Sequence, residues 1–330
     1  MREFLKHAVM SSGMLRLAAG LRARGAAILM YHSVLDEPLQ SANFLGDTAH
    51  SCDVFRAQME LLSGEFHPVS LDQVAGFVAG KTDLPSRAVA VTFDDGYADN
   101  FEVAAPILRE FGIPATFYVT VDCIERRELP WPARLRFAFR TTRSEPWLSA
   151  SGKTFSLKTP EDRERAYLHA CELCCRLSGT AQREFVCSRE RELETASSPS
   201  PGMAMMTPDQ LRGLRQEGHI VASHTMTHPN VAQLAAPEAQ YELSQSKLRL
   251  EAMLGKPVRH FSYPCPALWP HWTEQTAAQC AAAGYETSVT TLGGLAKKGD
   301  NLQLLKRVRP TKTLDGLRWN LECAFAGRAV

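Results

Sequence analysis

Three short polar runs carry the residue types that hydrolytic chemistry needs. Asp94-Asp95-Gly96, His224-Thr225-Met226-Thr227-His228 and Pro264-Cys265-Pro266 each stand directly after an apolar run with strand character. Two neutral imidazoles and one carboxylate make a three-ligand site for a divalent ion and leave a position open for water. The spacing of the two histidines suits ligands that share a helical turn or a tight loop. Adjacent carboxylates leave a strand in different directions, so one can bind the ion while the other faces the water as general base. Each run alone says little: Asp-Asp-Gly is commonly a turn, and a lone histidine pair is more often a surface or capping feature. Adjacent acids also repel, and burying both without a cation is costly. Their joint occurrence after three strands is what points to a site.

Convergence of residues so far apart requires a fold that gathers strand ends. Short β-like runs at 26–31 (AAILMY), 88–93 (AVAVTF), 115–120 (ATFYVT), 219–223 (HIVAS), 258–263 (VRHFSY) and 285–290 (YETSVT) alternate with helical stretches. That alternation predicts a parallel α/β fold, and the unbroken apolar character of the first runs predicts strands covered on both faces. In a parallel barrel every strand C-terminus opens on one face, which holds the site. A helix is expected from about Asp99–Asn100 to the residue before Gly112, kinked by Pro106. Thr207-Pro208-Asp209-Gln210 reads as a capping box with proline at the first helical position, and Gly218, Gly255 and Gly284 read as helix stops.

The alternation fails over 122–205, which is expected to be a helical insertion on the barrel rather than an independent domain. Within it Thr159, Pro160 and Asp162 mark a helix start, and 196–202 (ASSPSPG) reads as a loop. The whole chain, 1–330, is thus one domain, with core segments 26–121 and 206–310 and an N-terminal helix over 1–25. In that helix Phe4, Leu5, Val9, Leu15 and Leu21 line one side.

Composition narrows the function classes. Lys+Arg 37 against Asp+Glu 36 gives a formal net charge of +1 in 330 residues, which offers no long-range field to hold nucleic acid. Nine cysteines without a regular framework suggest a reducing compartment, and Cys171, Cys174 and Cys175 read as buried packing rather than a metal knuckle. No segment is long and apolar enough to span a bilayer. Arg16, Arg22 and Arg24 break a leader-like start, so the expectation is a cytoplasmic protein, with room for peripheral membrane contact through the N-terminal helix.

With these runs in place the chain resembles the polysaccharide deacetylase family, also called the NodB-homology or carbohydrate esterase group. TFDDGY at 92–97 is similar to the family's first motif, SHTMTH at 223–228 to its second, and FSYPCP at 261–266 to a variant of its third. LMYHSV at 29–34, GIPATFYV at 112–119 and MTPDQLRGLRQEGHIVASHTMTHP at 206–229 extend the likeness. The resemblance implies a distorted (β/α) barrel of about seven parallel strands, acting on an acetylated sugar or glycan. It implies Asp95, His224 and His228 as ligands of a divalent metal, Zn²⁺ ahead of Co²⁺, Ni²⁺ or Mn²⁺, and Asp94 as general base. By the same resemblance the metal would polarise the acyl carbonyl and activate water, and the backbone N–H of Cys265 would support the oxyanion.

The departures are specific. Many relatives carry an arginine in the third motif that orients the base; Ser262 stands there, leaving Arg259 and Arg307 as candidates to replace it. Pro266 stands where the motif usually ends in glycine. The late histidine of many relatives has no equivalent in LLKRVRPT (304–311), so His32 or His271 is the candidate proton donor to the leaving amine. Tyr97, Tyr263, Pro264, Cys265 and Trp269 are expected along the substrate, with Trp272 as a further ring that could stack on sugar; for Trp131 and Trp147 core packing is the default. The leading expectation is removal of an N-acetyl group from an amino sugar. O-deacetylation or hydrolysis of another small amide by the same site, and a non-catalytic glycan-binding or scaffold barrel, are the alternatives.

Overall fold

The computed structural model describes residues 25–36, 42–195 and 203–328. The expected N-terminal helix up to 24 and the loop at 196–202 lie outside the described residues.

Seven parallel strands form the barrel: β1 (Gly25–Tyr31), β2 (Ala88–Phe93), β3 (Ala115–Val119), β4 (Ile220–Ser223), β5 (His260–Ser262), β6 (Thr287–Gly293) and β7 (Leu305–Arg307), paired in that order. Two short strands extend the sheet: Ala296–Lys297 pairs antiparallel with β1, and His67–Pro68 pairs with the start of β2. Between β7 and β1 a single bridge, Leu29 to Val308, brings the ring near closure: Val308 N–H donates to Ile28 at 2.8 Å and Met30 N–H to Val308 at 3.2 Å. The six expected strands are present; the seventh lies in the basic LLKRVRPT run, whose Lys and Arg content masks it in the sequence.

Alternation along the strands divides the apolar side chains into two clusters. Ile28, Ala90, Tyr118, Ala222, Val289 and Leu305 share one with Val74 and Phe77 of the helix Leu71–Val78. Leu29, Val91, Phe117, Val221 and Phe261 share the other with residues of the surrounding helices, such as Phe55, Leu108, Leu211 and Leu243. All six residues of β2 are buried, and period-two alternation continues the row of small side chains Ala88, Ala90 and Thr92 to Asp94. Helix Leu71–Val78 lies at the amino ends of the strands, where its Asp72 meets His260 at 2.9 Å.

Local signals act as their chemistry dictates. Thr207 and Thr159 cap their helices with reciprocal bonds to Gln210 and Asp162, and Gly255 ends the long helix Ala236–Leu254 at φ +62°. The expected helix at 99–111 instead opens with a π turn over Asn100–Ala104 before Ala105–Glu110. Pro106 has no N–H for a regular ladder, and a wide first turn accommodates that.

The insertion adds helices Trp131–Thr141, Pro160–Cys174 and Gly179–Glu192 and a small hairpin, Trp147–Leu148 with Thr154–Phe155. It has its own apolar cluster, including Leu135, Phe139, Trp147, Tyr167, Cys171 and Cys174, and Ala267 and Leu268 pack at its edge. Burial pushes the thiols of Cys171 and Cys175 up to about 12 and about 11, as packing residues. Among the described residues no helix is long and apolar enough to cross a membrane.

Candidate active site

Strand register decides which residues meet at the carboxyl ends. Tyr31 is level with Phe93 across β1 and β2, so the next residues, His32 and Asp94, emerge side by side. Ser223 is level with Val119 of β3 and Phe261 of β5, which sets His224 beside Ser262. These ends floor a cavity of about 390 Å³ whose lining includes His32, Asp94, Asp95, His224 and His228.

Asp95, His224 and His228, all buried, place one donor atom each within 4.8 Å of one another. Asp95 Oδ1 lies 3.4 Å from His224 Nε2 and 3.2 Å from His228 Nε2, yet it accepts no well-aligned hydrogen bond. An ionised carboxylate oxygen buried in that state is costly, and a cation between it and the two imidazoles would remove the cost. His224 Nδ1 donates to the Ser262 carbonyl at 2.8 Å, which fixes the tautomer that leaves Nε2 a free lone pair. Burial raises the Asp95 carboxyl, but the two imidazoles outweigh it and hold its pKa well below the usual carboxylate range. The donor set and its geometry therefore fit a divalent ion.

The loop bearing the histidines is strained. Thr225 and His228 have φ of +68° and +62°, and Asp95 has +76°. Such left-handed residues cost on the order of 1 kcal/mol or more each and persist only where their surroundings hold them. Trp131, a ring that could stack on sugar but for which core packing is the default expectation, is buried and donates its Nε1–H to the His228 carbonyl at 2.8 Å.

Asp94 meets Arg307, not Arg259. The guanidinium donates two parallel bonds, 2.8 Å to Oδ1 and 2.7 Å to Oδ2, while its Nε–H is held by Thr290 O at 2.9 Å. Ser262 Oγ adds a bond of 3.3 Å to Asp94 Oδ2. Burial raises the Asp94 pKa, but the charge and hydrogen bonds of Arg307 override it and leave the carboxyl below its ordinary value. Arg259 precedes β5 and so lies at the opposite end of the barrel, where it pairs with Asp72 at 2.6 Å. It cannot reach Asp94; Arg307, at the carboxyl end of β7, can.

His32, Tyr97, Tyr263 and Cys265 line the cavity with Asp94 and Asp95; Pro264 and Trp269 are not among the lining residues. Trp269 is 61% exposed, and its ring meets those of His271 and Trp272 edge-on. His271 is held behind the wall against Cys265 Sγ at 3.1 Å, and Trp147 belongs to the core of the insertion. Asn100 Nδ2 donates to His32 O at 2.8 Å, and Asp99 accepts from Ser33 Oγ at 2.6 Å and Val34 N–H at 2.9 Å, so the π turn clamps the segment after β1. Residues that sequence reasoning missed come from outside the motifs. Phe44 and His50 line one side, and Pro132, Arg136 and Tyr167 of the insertion another. They carry no motif signal: Phe44 stacks on Phe137 of the insertion at 4.3 Å, and His50 is held by pairing with Val34 after β1 and by an edge contact with Tyr31 at 5.1 Å.

Known proteins resemble the chain in sequence and in fold. The family model described as polysaccharide deacetylase matches residues 81–172 and 176–288. The Bacillus subtilis (strain 168) protein YxkH, named after the same family, is 22% identical over 290 residues, 88% of this chain and 72% of its own. The chitooligosaccharide deacetylase of Azorhizobium caulinodans is 35% identical over 69 residues, 21% of this chain and 31% of its own. Among solved structures, Streptococcus pyogenes deacetylase PplD in complex with acetate superposes with a TM-score of 0.61 at 20% identity, over 91% of this chain and 99% of that one. IcaB from Ammonifex degensii gives a TM-score of 0.59 at 19% identity, over 92% and 98%. At those identities the likeness speaks to the fold.

Proposed function

The chain belongs to the polysaccharide deacetylase family and is a carbohydrate deacetylase, and from that premise we propose that it removes N-acetyl groups from an amino sugar in a glycan or glycan precursor, in a metal-dependent reaction. The observation that carries this reading is the buried Asp94 carboxylate, forked by Arg307 and standing beside the Asp95–His224–His228 cluster on the floor of one cavity. Asp95, His224 and His228 would hold the ion, with Zn²⁺ best matched to a carboxylate and two imidazoles. When bound there, a divalent ion polarises the acyl carbonyl and acidifies water.

The chain's own residues supply the remainder. Asp94, kept ionised by Arg307, takes the proton of the attacking water. Arg307 presents the carboxylate in one orientation, because both of its oxygens are engaged by the planar fork. The Cys265 N–H is the candidate donor to the oxyanion. His32 is the candidate acid for the departing amine. Burial draws its pKa down, against the opposing pull of Asp95 and Asp94, which makes its protonated form a stronger donor.

Asp94→Asn tests the assignment. Acetate release from N-acetylated chito-oligosaccharides should fall by at least about 100-fold, the scale of a lost general base, with metal content unchanged. Full turnover in that variant would remove Asp94 from the reaction. A parallel panel of O-acetylated sugars separates amide from ester hydrolysis.

A further inference from the structure

We propose that Glu242 is the positioning residue that shapes the His224–His228 loop for metal binding. The inference rests on the reading of those histidines as ligands, and it concerns a residue outside every motif. Glu242 lies on the helix Ala236–Leu254 and is 1% exposed. Its Oε2 accepts two consecutive backbone N–H groups, Met226 at 2.8 Å and Thr227 at 2.9 Å, and its Oε1 accepts the Thr227 hydroxyl at 2.6 Å. Those two N–H groups lie between the histidines, flanked by the left-handed Thr225 and His228. The next N–H, of His228, is taken by Thr225 Oγ1 at 2.9 Å. A single carboxylate therefore terminates the polar backbone of the strained segment, leaving the imidazoles free to face Asp95.

No ion pair to Glu242 occurs among the described residues, and burial raises its pKa to about 7 against the hydrogen bonds from Thr227 and Met226 that lower it. A buried carboxylate without a cationic partner is unfavourable unless its hydrogen bonds do something an apolar side chain cannot. Here they hold adjacent donors in a geometry that the chain would not adopt alone. Partners that orient metal ligands typically account for about 10- to 100-fold in metal affinity.

The test is Zn²⁺ affinity of metal-free, full-length protein, measured by competition with a chromophoric chelator, with folding checked by circular dichroism. Glu242→Ala should bind Zn²⁺ about 10- to 100-fold more weakly than wild type. Glu242→Gln, which keeps a carbonyl acceptor for the two N–H groups, should lie between them. Leu250→Ala, a core truncation on the same helix, should lower stability and leave affinity unchanged, which separates positioning from general support. A folded Glu242→Ala that binds as tightly as wild type overturns the inference. Should Glu242→Ala not fold, the double variant Glu242→Gln/Thr227→Val decides: weakened binding supports the inference and unchanged binding overturns it. Wild type that binds no Zn²⁺, or binds no better than His224→Ala/His228→Ala, overturns both the inference and the ligand reading; a difference there beside an unaffected Glu242→Ala overturns the inference alone.

Discussion

At the scale of single residues, the pairing of Asp94 with Arg307 sets the state of the carboxylate proposed above as general base. The guanidinium is 1% exposed and anchored by Thr290, so the pair is buried as a unit. Removing one partner of such a pair leaves an unmatched charge and costs about 3–5 kcal/mol. The Asp94 pKa then rises, since the charge that lowers it is gone. Arg307→Ala should therefore shift the acid limb of the kcat/KM profile to higher pH and lower kcat. Arg307→Lys should restore the position of the limb better than the rate, because an ammonium supplies charge without the fork. An unmoved acid limb in Arg307→Ala would show that Arg307 does not govern this carboxylate. The need for an arginine partner was legible from the third motif, where Ser262 stands in its place. Choosing between Arg259 and Arg307 was not, because β7 shows no apolar run and its direction is visible only in the sheet.

The elements explain why the motifs meet and why the rest of the cavity was hidden. Strands β1 to β6 announce themselves by short β-like runs, and helix starts by threonine caps, because these signals are local. Positive φ at Thr225 and His228 has no local signal; it is imposed by tertiary partners. The same holds for the link between the second and third motifs. Asn230 Nδ2 reaches the carbonyls of Ala267, Leu268 and Pro270 at 2.9, 2.7 and 3.1 Å, joining the end of the histidine loop to the loop that follows Cys265. Three carbonyls losing a buried donor corresponds to about 1–3 kcal/mol. Asn230→Ala should thus loosen the Cys265–Pro266 wall, raising KM several-fold while metal content and most of kcat remain. Steady-state kinetics beside elemental analysis checks this, and an unchanged KM would make the link purely architectural.

For the whole molecule, near-closure of the ring is what completes the site. The family match begins after β1 and ends before β7, yet His32 follows β1, Arg307 lies on β7, and the Leu29–Val308 bridge joins these two strands. The cavity is therefore assembled from both ends of the described chain. The segment after β1 is in turn held by Asp99, a buried carboxylate whose pKa burial raises to about 6 against three hydrogen bonds that lower it. An acid with a folded pKa above its unfolded value lends stability that is fully present below the unfolded pKa, near 3.8, and is lost as pH rises through about 6. Asp94 and Asp95 act in the opposite sense, but their lowered pKa values put that loss at more acidic pH. Between pH 4.5 and 7.5 the Asp99 contribution should fall by about 2 kcal/mol. Asp99→Asn keeps an acceptor for Val34 without a titrating group, so its stability should decline less over that interval. Urea unfolding of both proteins at the two pH values measures the difference directly. Equal declines would mean that Asp99 is ionised across the whole range, and that the clamp on His32 is charged rather than neutral where the protein is most stable.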